Sequence, residues 1–264
     1  GEHNVAVGYR ALYQGTTESD DNVAIGYNAM SGAITTQVVN DCVAIGSGAL
    51  SGAIEDEVSG SIAIGVSAGA ALTTGAGNLA IGGYSMNILS TGNYNVGVGY
   101  ATMDALTTGD KNTAVGYNAM GDVSGAGALD SDDNTAIGYL SMSGNWATTK
   151  STKNTAVGSA SMQGAMVGSI NNTAVGYGTL AALTAGDENT AIGYNAGAAL
   201  TTETGCVLIG NLAGTAINST DAQHSTFVGN SAGTAITSGI GNVAVGAFAL
   251  DANQTSDYNT AVGY

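Results

Sequence analysis

Asp130-x-Asp132-x-Asn134 is the stretch whose residue types come closest to a metal site. Its spacing is that of the opening of a calcium loop, in which alternate oxygen donors face one ion. The glycine at the sixth position and the glutamate at the twelfth, which complete such a loop, are missing. The simpler reading is a solvated turn, with calcium in the acidic turns as the alternative and no other cofactor expected. His3 and His224 each lie five residues before a recurring glycine, so they share a column. Three copies around a threefold axis could bring three imidazoles together, but no second ligand type accompanies them.

Nucleophilic and phosphate chemistry find less support. No Ser/His/Asp grouping recurs at a spacing suited to catalysis, and no Gly-x-Ser-x-Gly elbow precedes a helix. Gly97-Val-Gly99 and Gly75-Ala-Gly77 lack the strand-to-helix setting that a phosphate loop needs. An enzyme is therefore not expected. Asn171-Asn-Thr173, Asn218-Ser-Thr220 and Asn253-Gln-Thr255 fit a glycosylation acceptor, a pattern common by chance in Asn- and Thr-rich chains.

These residues sit on a repeat that spans all 264 positions. Its core is Asn-x-Ala-(Val/Ile)-Gly, seen in Asn112-Thr-Ala-Val-Gly-Tyr-Asn-Ala-Met120. The anchoring glycines are Gly8, Gly26, Gly46, Gly65, Gly82, Gly99, Gly116, Gly138, Gly158, Gly176, Gly193, Gly210, Gly229, Gly246 and Gly263, at intervals of 17 to 22 residues. A period near 20 marks a solenoid. The core alternates in two columns, as a strand does, and both columns carry apolar or small residues. One face would line the coil and the other would meet a neighbouring chain, without the sequence saying which. The looser second half, as in Leu106-Thr-Thr-Gly-Asp110, reads as a second short strand and a glycine turn. No 3.6-residue stripe lasts three turns, so helices are not expected. The reading is a single parallel β-solenoid domain over 1–264, about 70 Å long at roughly 4.8 Å per coil.

Composition supports a thin coil. Glycine contributes 42 residues, proline none, and Phe plus Trp only three. Such small side chains fill a narrow interior and not a broad globule. The formal charge of −16, from 20 acids against 4 bases, disfavours nucleic acid and anionic membrane surfaces. No stretch approaches the roughly 20 apolar residues of a membrane helix, and no signal peptide opens the chain. The chain starts just before one core and stops inside another, so a segment of a longer fibrous protein is expected.

Asn occupies the first core position at Asn4, Asn22, Asn78, Asn95, Asn112, Asn134, Asn154, Asn172, Asn189, Asn242 and Asn259, and a structural ladder of amides is expected there. Cys42, Ser61, Cys206 and Ser225 replace it elsewhere. The cysteines lie nine coils apart, roughly 43 Å at the coil spacing, while a disulfide needs Cα atoms within about 7 Å. All methionines except Met166 fall four residues past an anchor, where they read as core fillers. Tyr9, Tyr27, Tyr100, Tyr117, Tyr139, Tyr177, Tyr194 and Tyr264 follow the anchor directly. They could bind sugars or rim a subunit contact, and the second reading is preferred because the same position carries small residues elsewhere.

The core Asn-Thr-Ala-Val-Gly-Tyr-Asn-Ala resembles the head repeats of YadA-like trimeric autotransporter adhesins. Val43-Ala-Ile-Gly-Ser-Gly-Ala49 and Ile62-Ala-Ile-Gly-Val-Ser-Ala68 carry the same centre, and similar repeats occur in tail-fibre proteins of bacterial viruses. The resemblance implies a left-handed parallel β-roll with three chains side by side, on a cell or virion surface. A homotrimer also agrees with the physics, because a coil filled with Ala and Val buries little apolar area alone. The expected function is a structural or adhesive fibre segment that adjoins further segments of the same fibre and contacts a host receptor or glycan. Two alternatives are weaker. An ice-binding solenoid would use the column Thr113, Thr135, Thr155, Thr173 and Thr190, which Val, Ile and Leu interrupt. A polysaccharide-cleaving solenoid would need a localised acid/base cluster, which Arg10, Lys111, Lys150 and Lys153 do not help to build.

Overall fold

Around each anchoring glycine, Val, Ile and Thr alternate with Ala, and this makes a strand of only three residues. The computed structural model describes residues 1–13, 19–33, 39–54, 58–122, 130–146, 149–219 and 222–264. The chain divides into two compact units, Gly1–Ser124 with Leu129–Asp133, and Gly125–Ala128 with Asn134–Tyr264. The first holds β1 (Val5–Val7), β2 (Val23–Ile25), β3 (Val43–Ile45), β4 (Ile62–Ile64), β5 (Leu79–Ile81), β6 (Val96–Val98) and β7 (Thr113–Val115). The second holds β8 (Thr135–Ile137), β9 (Thr155–Val157), β10 (Thr173–Val175), β11 (Thr190–Ile192), β12 (Val207–Ile209), β13 (Thr226–Val228), β14 (Val243–Val245) and β15 (Thr260–Val262). Within each unit consecutive strands pair parallel and in register, with Ala24 beside Ala44 and Ala174 beside Ala191. Each unit is a parallel β-solenoid.

The expected second strand in each repeat is a correction. Among the described residues the other half of the coil is turns and bends, with isolated bridge positions at Ile54 and at Thr152, which pairs with Ile170. Its backbone still bonds to the next coil, as when Ser90 N donates to Thr107 O at 2.8 Å. Glycine recurs there, as at Gly75, Gly92, Gly109 and Gly186, and glycine is depleted in strands.

The structure decides which strand face points inward. The central residue of each strand from β2 to β14 is buried, while its two neighbours are half-buried or exposed. The interior is closed by the residues four past the anchor, including Met30, Met86, Met103 and Met120, and by Leu89, Leu106 and Leu183 from the turns. Met166 is buried too.

Backbone geometry explains why that column holds Met, Leu or Gly. Residues two and four past the anchor, and five before it, all have positive φ, as at Asn28 (54°), Met30 (50°) and Asp41 (59°). A β-branched side chain is a poor fit to this left-handed region. None of the three columns contains Val, Ile or Thr. The anchors themselves lie further out, as at Gly26 (135°) and Gly138 (136°). A Cβ on Gly26 would sit 2.6 Å from Gly46 O, so these glycines let successive coils stack directly.

Interior volume is balanced between positions. Leu208 and Phe227 replace the usual strand Ala, and the residue six further on is then glycine in each case. A Cβ on Gly214 would lie 2.8 Å from Leu208 Cδ2, and one on Gly233 would lie 2.5 Å from Phe227 Cδ2. Gly69 is different, because it faces Ala63. A Cβ there would meet Leu50 Cδ2 at 3.4 Å and Ala63 Cβ at 3.7 Å. A small apolar cavity remains beside it, lined by Leu50, Leu72, Met86 and Leu89 among others.

Candidate functional site: the outward strand face

Two hydrogen-bonded ladders hold the edge from which the outward face is presented. Along the Asn column, buried amides that follow another Asn bond both to that amide and to backbone of the next coil. Asn95 Nδ2 donates to Gly109 O at 2.7 Å, and Asn95 Oδ1 accepts from Asn112 N at 2.9 Å and Asn112 Nδ2 at 3.2 Å. Asn154, Asn172 and Asn189 repeat this pattern in the second unit. Such satisfied amides stay dry without a desolvation penalty. The Cys and Ser substitutes reproduce only part of it. Cys42 N donates to Asn22 Oδ1 at 3.0 Å and Cys42 Sγ donates to Val58 O at 3.3 Å. Ser61 Oγ accepts from Asn78 N at 3.2 Å. Both cysteines are free and buried, and burial pushes each thiol up to about 11.

The second ladder lies six residues before each anchor and was not anticipated. Asp110 Oδ1 accepts from Asn93 N at 2.7 Å, Asp187 Oδ1 from Ile170 N at 2.7 Å, and Asp257 Oδ1 from Ile240 N at 2.9 Å. These acids do more than solvate turns, because they accept backbone donors of the preceding coil. The period was the available signal, since Asp or Asn recurs at 20, 40, 93, 110, 132, 187 and 257. Glu203 was also missed. It is fully buried, and its Oε2 accepts from Thr201 N at 2.6 Å and Thr202 N at 2.9 Å. One coil earlier, Thr184 N and Ala185 N donate instead to Thr201 O. The carboxylate thus supplies an acceptor where the next interval, from Gly210 to Gly229, is lengthened to 19 residues.

The calcium-like trio is split among three such contacts. Asp130 Oδ1 accepts from Thr108 Oγ1 at 2.7 Å, Asp132 Oδ1 accepts from Asp110 N at 2.8 Å, and buried Asn134 donates to Ser151 O at 2.8 Å. His3 Nδ1 lies 3.2 Å from Asp21 Oδ1 at the surface. The His224 ring packs over Gly205, whose Cβ would meet it at 2.9 Å. Tyr94 covers Gly77 and Tyr258 covers Gly241 in the same manner. Among the described residues no group of three or more His, Cys, Asp or Glu is placed to hold a metal ion. Asp104 is half-buried, and burial followed by the nearby Asp122 charge raises its carboxyl to about 6. Of the glycosylation patterns, Asn171 is exposed, Asn253 Oδ1 accepts from Ser256 N at 3.2 Å, and Thr220 lies outside the described residues.

On the outward face the strand residues flanking the buried Ala form two columns. Ile25, Ile137, Ile192 and Val245 remain between 37% and 40% exposed. Tyr9, Tyr27, Tyr100, Tyr117, Tyr139, Tyr177 and Tyr194 edge this face at 50% to 63% exposure. In the first unit Tyr9 stacks on Tyr27 with centroids 5.5 Å apart, and Tyr100 stacks on Tyr117 at 5.6 Å. Tyr84 extends the latter row by an edge contact with Tyr100. In the second unit Tyr177 stacks on Tyr194 at 5.5 Å. Arg10 lies over the Tyr9 and Tyr13 rings. The stacked rings spend their faces on each other and present edges and hydroxyls outward.

Among the described residues, no helix is long and apolar enough to cross a membrane. Comparisons with protein-family models, with curated proteins and with solved structures find no match.

Proposed function

We propose that this chain is a non-catalytic segment of a surface-exposed fibre, on a virion or a bacterial cell. Three copies run parallel as left-handed rolls and adjoin further segments of the same fibre. The irregular turns are free to touch a receptor or glycan. The observation that carries the reading is the outward strand face, apolar at its centre and edged by stacked tyrosines. An apolar sheet face on each unit loses free energy to water, and neighbouring copies would remove it from water. The net charge of −16 keeps the rest of each copy apart and soluble.

Sedimentation velocity tests the assembly. A species of three chain masses is expected, and Ile137→Glu with Ile192→Glu should release folded monomers with an unchanged far-UV spectrum. A wild-type chain that sediments as a folded monomer at micromolar concentration would sink the proposal. One observation favours a second reading: Thr135, Thr155, Thr173 and Thr190 stand directly beside one another across β8 to β11. An ice-binding face would use such a row. The adjacent outward column is Val or Ile, which breaks the hydroxyl lattice, and thermal hysteresis of the purified chain decides between the two.

A further inference from the structure

The chain sorts its oxidisable side chains into two places. All seven methionines, both cysteines and Trp146 are buried, each at 1% exposure or less. All twelve tyrosines are exposed. An oxidant arriving from solvent therefore meets phenol rings before it meets sulfur or indole, since susceptibility follows exposure. Six of those rings form near-parallel pairs between adjacent coils: Tyr9 with Tyr27 at 14°, Tyr100 with Tyr117 at 7°, and Tyr177 with Tyr194 at 10°.

We propose that these three pairs are sites of oxidative cross-linking, in which dityrosine bonds join one coil covalently to the next. The paired rings edge the outward face, so the inference holds for the lone chain and, where copies meet as proposed above, for rings at the rim of that contact. The co-reactant is a one-electron oxidant of the peroxidase class supplied with hydrogen peroxide. Each ring gives up one electron and its hydroxyl proton to form a phenoxyl radical. The two radicals join through a carbon–carbon bond between ring carbons ortho to oxygen. Each of those carbons then loses its hydrogen as a proton while its oxygen regains one, which restores two phenols. Overall, one peroxide takes two electrons and two protons and becomes two waters. Radicals on stacked rings are already neighbours, so coupling within a pair outruns the encounter of two separate chains. Each bond would close a loop of 17 or 18 residues, the intervals between the paired positions, and would restrict the unfolded chain as a disulfide does.

The test treats the native chain, and the same chain unfolded in urea, with horseradish peroxidase and hydrogen peroxide. Dityrosine emission and mass mapping of cross-linked peptides are the readouts. A native yield several-fold above the unfolded yield is expected, with the three pairs as the principal links and Tyr13, Tyr94 and Tyr258 left unlinked. Tyr177→Phe should remove the third link alone, and its far-UV spectrum checks that the fold is kept. Equal yields in the two states would overturn the proposal. So would a link map dominated by Tyr13, Tyr94 or Tyr258, or chains joined to one another instead of to themselves.

Discussion

Gly138→Ala is the sharpest test of how the coils stack. The φ of Gly138 is 136°, a region that non-glycine residues occupy only with strain of about 1–3 kcal/mol. Its Cβ would lie 2.6 Å from both the carbonyl carbon and the oxygen of Gly158, and 3.0 Å from Ser159 N. Ordinary contact begins at 3.4 Å, so the next coil must retreat by about 0.8 Å. That retreat stretches the bond from Gly158 N to Ile137 O, now 2.7 Å, and the bond from Thr135 N to Asn154 O, now 2.8 Å. Two weakened bonds at about 1 kcal/mol each, added to the strain, give a loss of about 4 kcal/mol. Gly168→Ala is the control. Its φ is 79° but its Cβ would meet only Thr149, at 3.5 Å from Cγ2 and 3.6 Å from Cβ, so about 1 kcal/mol is expected. Trp146, the one tryptophan and fully buried, reports unfolding in urea through its emission. If the two variants unfold at the same urea concentration, direct glycine stacking does not hold the coils together.

Three further outcomes follow from the interior and its ionisable groups. Gly69 and Gly233 have nearly equal φ, 56° and 62°, so backbone strain cancels between their Ala variants. Gly69→Ala, entering the cavity, should change stability by less than about 1 kcal/mol, whereas Gly233→Ala, meeting Phe227, should cost about 3 kcal/mol; equal melting shifts would refute the volume balance. Cys42 and Cys206, with thiols raised to about 11, should resist a thiol reagent at pH 8 in the native chain and react at once in urea. Labelling of the native chain at the rate of a free thiol would contradict their burial. Asp104 titrates near 6 when folded and at 3.8 when unfolded, so its charge opposes folding above pH 6 and ceases to matter below pH 4. Full burial would make this worth about 3 kcal/mol; water reaches the half-buried carboxyl, so Asp104→Asn should gain about 1 kcal/mol at pH 7.5 and nothing at pH 4. Equal gains at both pH values would show that the effect is not one of charge.

The sequence by itself determined the repeat, its intervals and the parallel stacking, because one short unit recurs and each copy can bury its apolar residues only against the next. It also determined that Met and Leu recur at one place and Asn at another, since both columns are visible in the spacing. Only the tertiary structure decided which strand face points inward, because alternation of Ala with Val or Thr is symmetric to a reader of the chain. It likewise decided that the described residues in the second halves of the coils are turns and bends and, apart from isolated bridges, not strands. The clue was present as three columns without Val, Ile or Thr, but its meaning needs the φ of Asn28, Met30 and Asp41. The acid ladder at Asp110 and Asp187, and the acceptor role of Glu203, depend on which backbone N–H a neighbouring coil leaves unpaired. The tyrosine stacking rests on ring planes that only packed coils define. Spacing along the chain reports which residues recur, and the stacking of coils turns recurrence into contact.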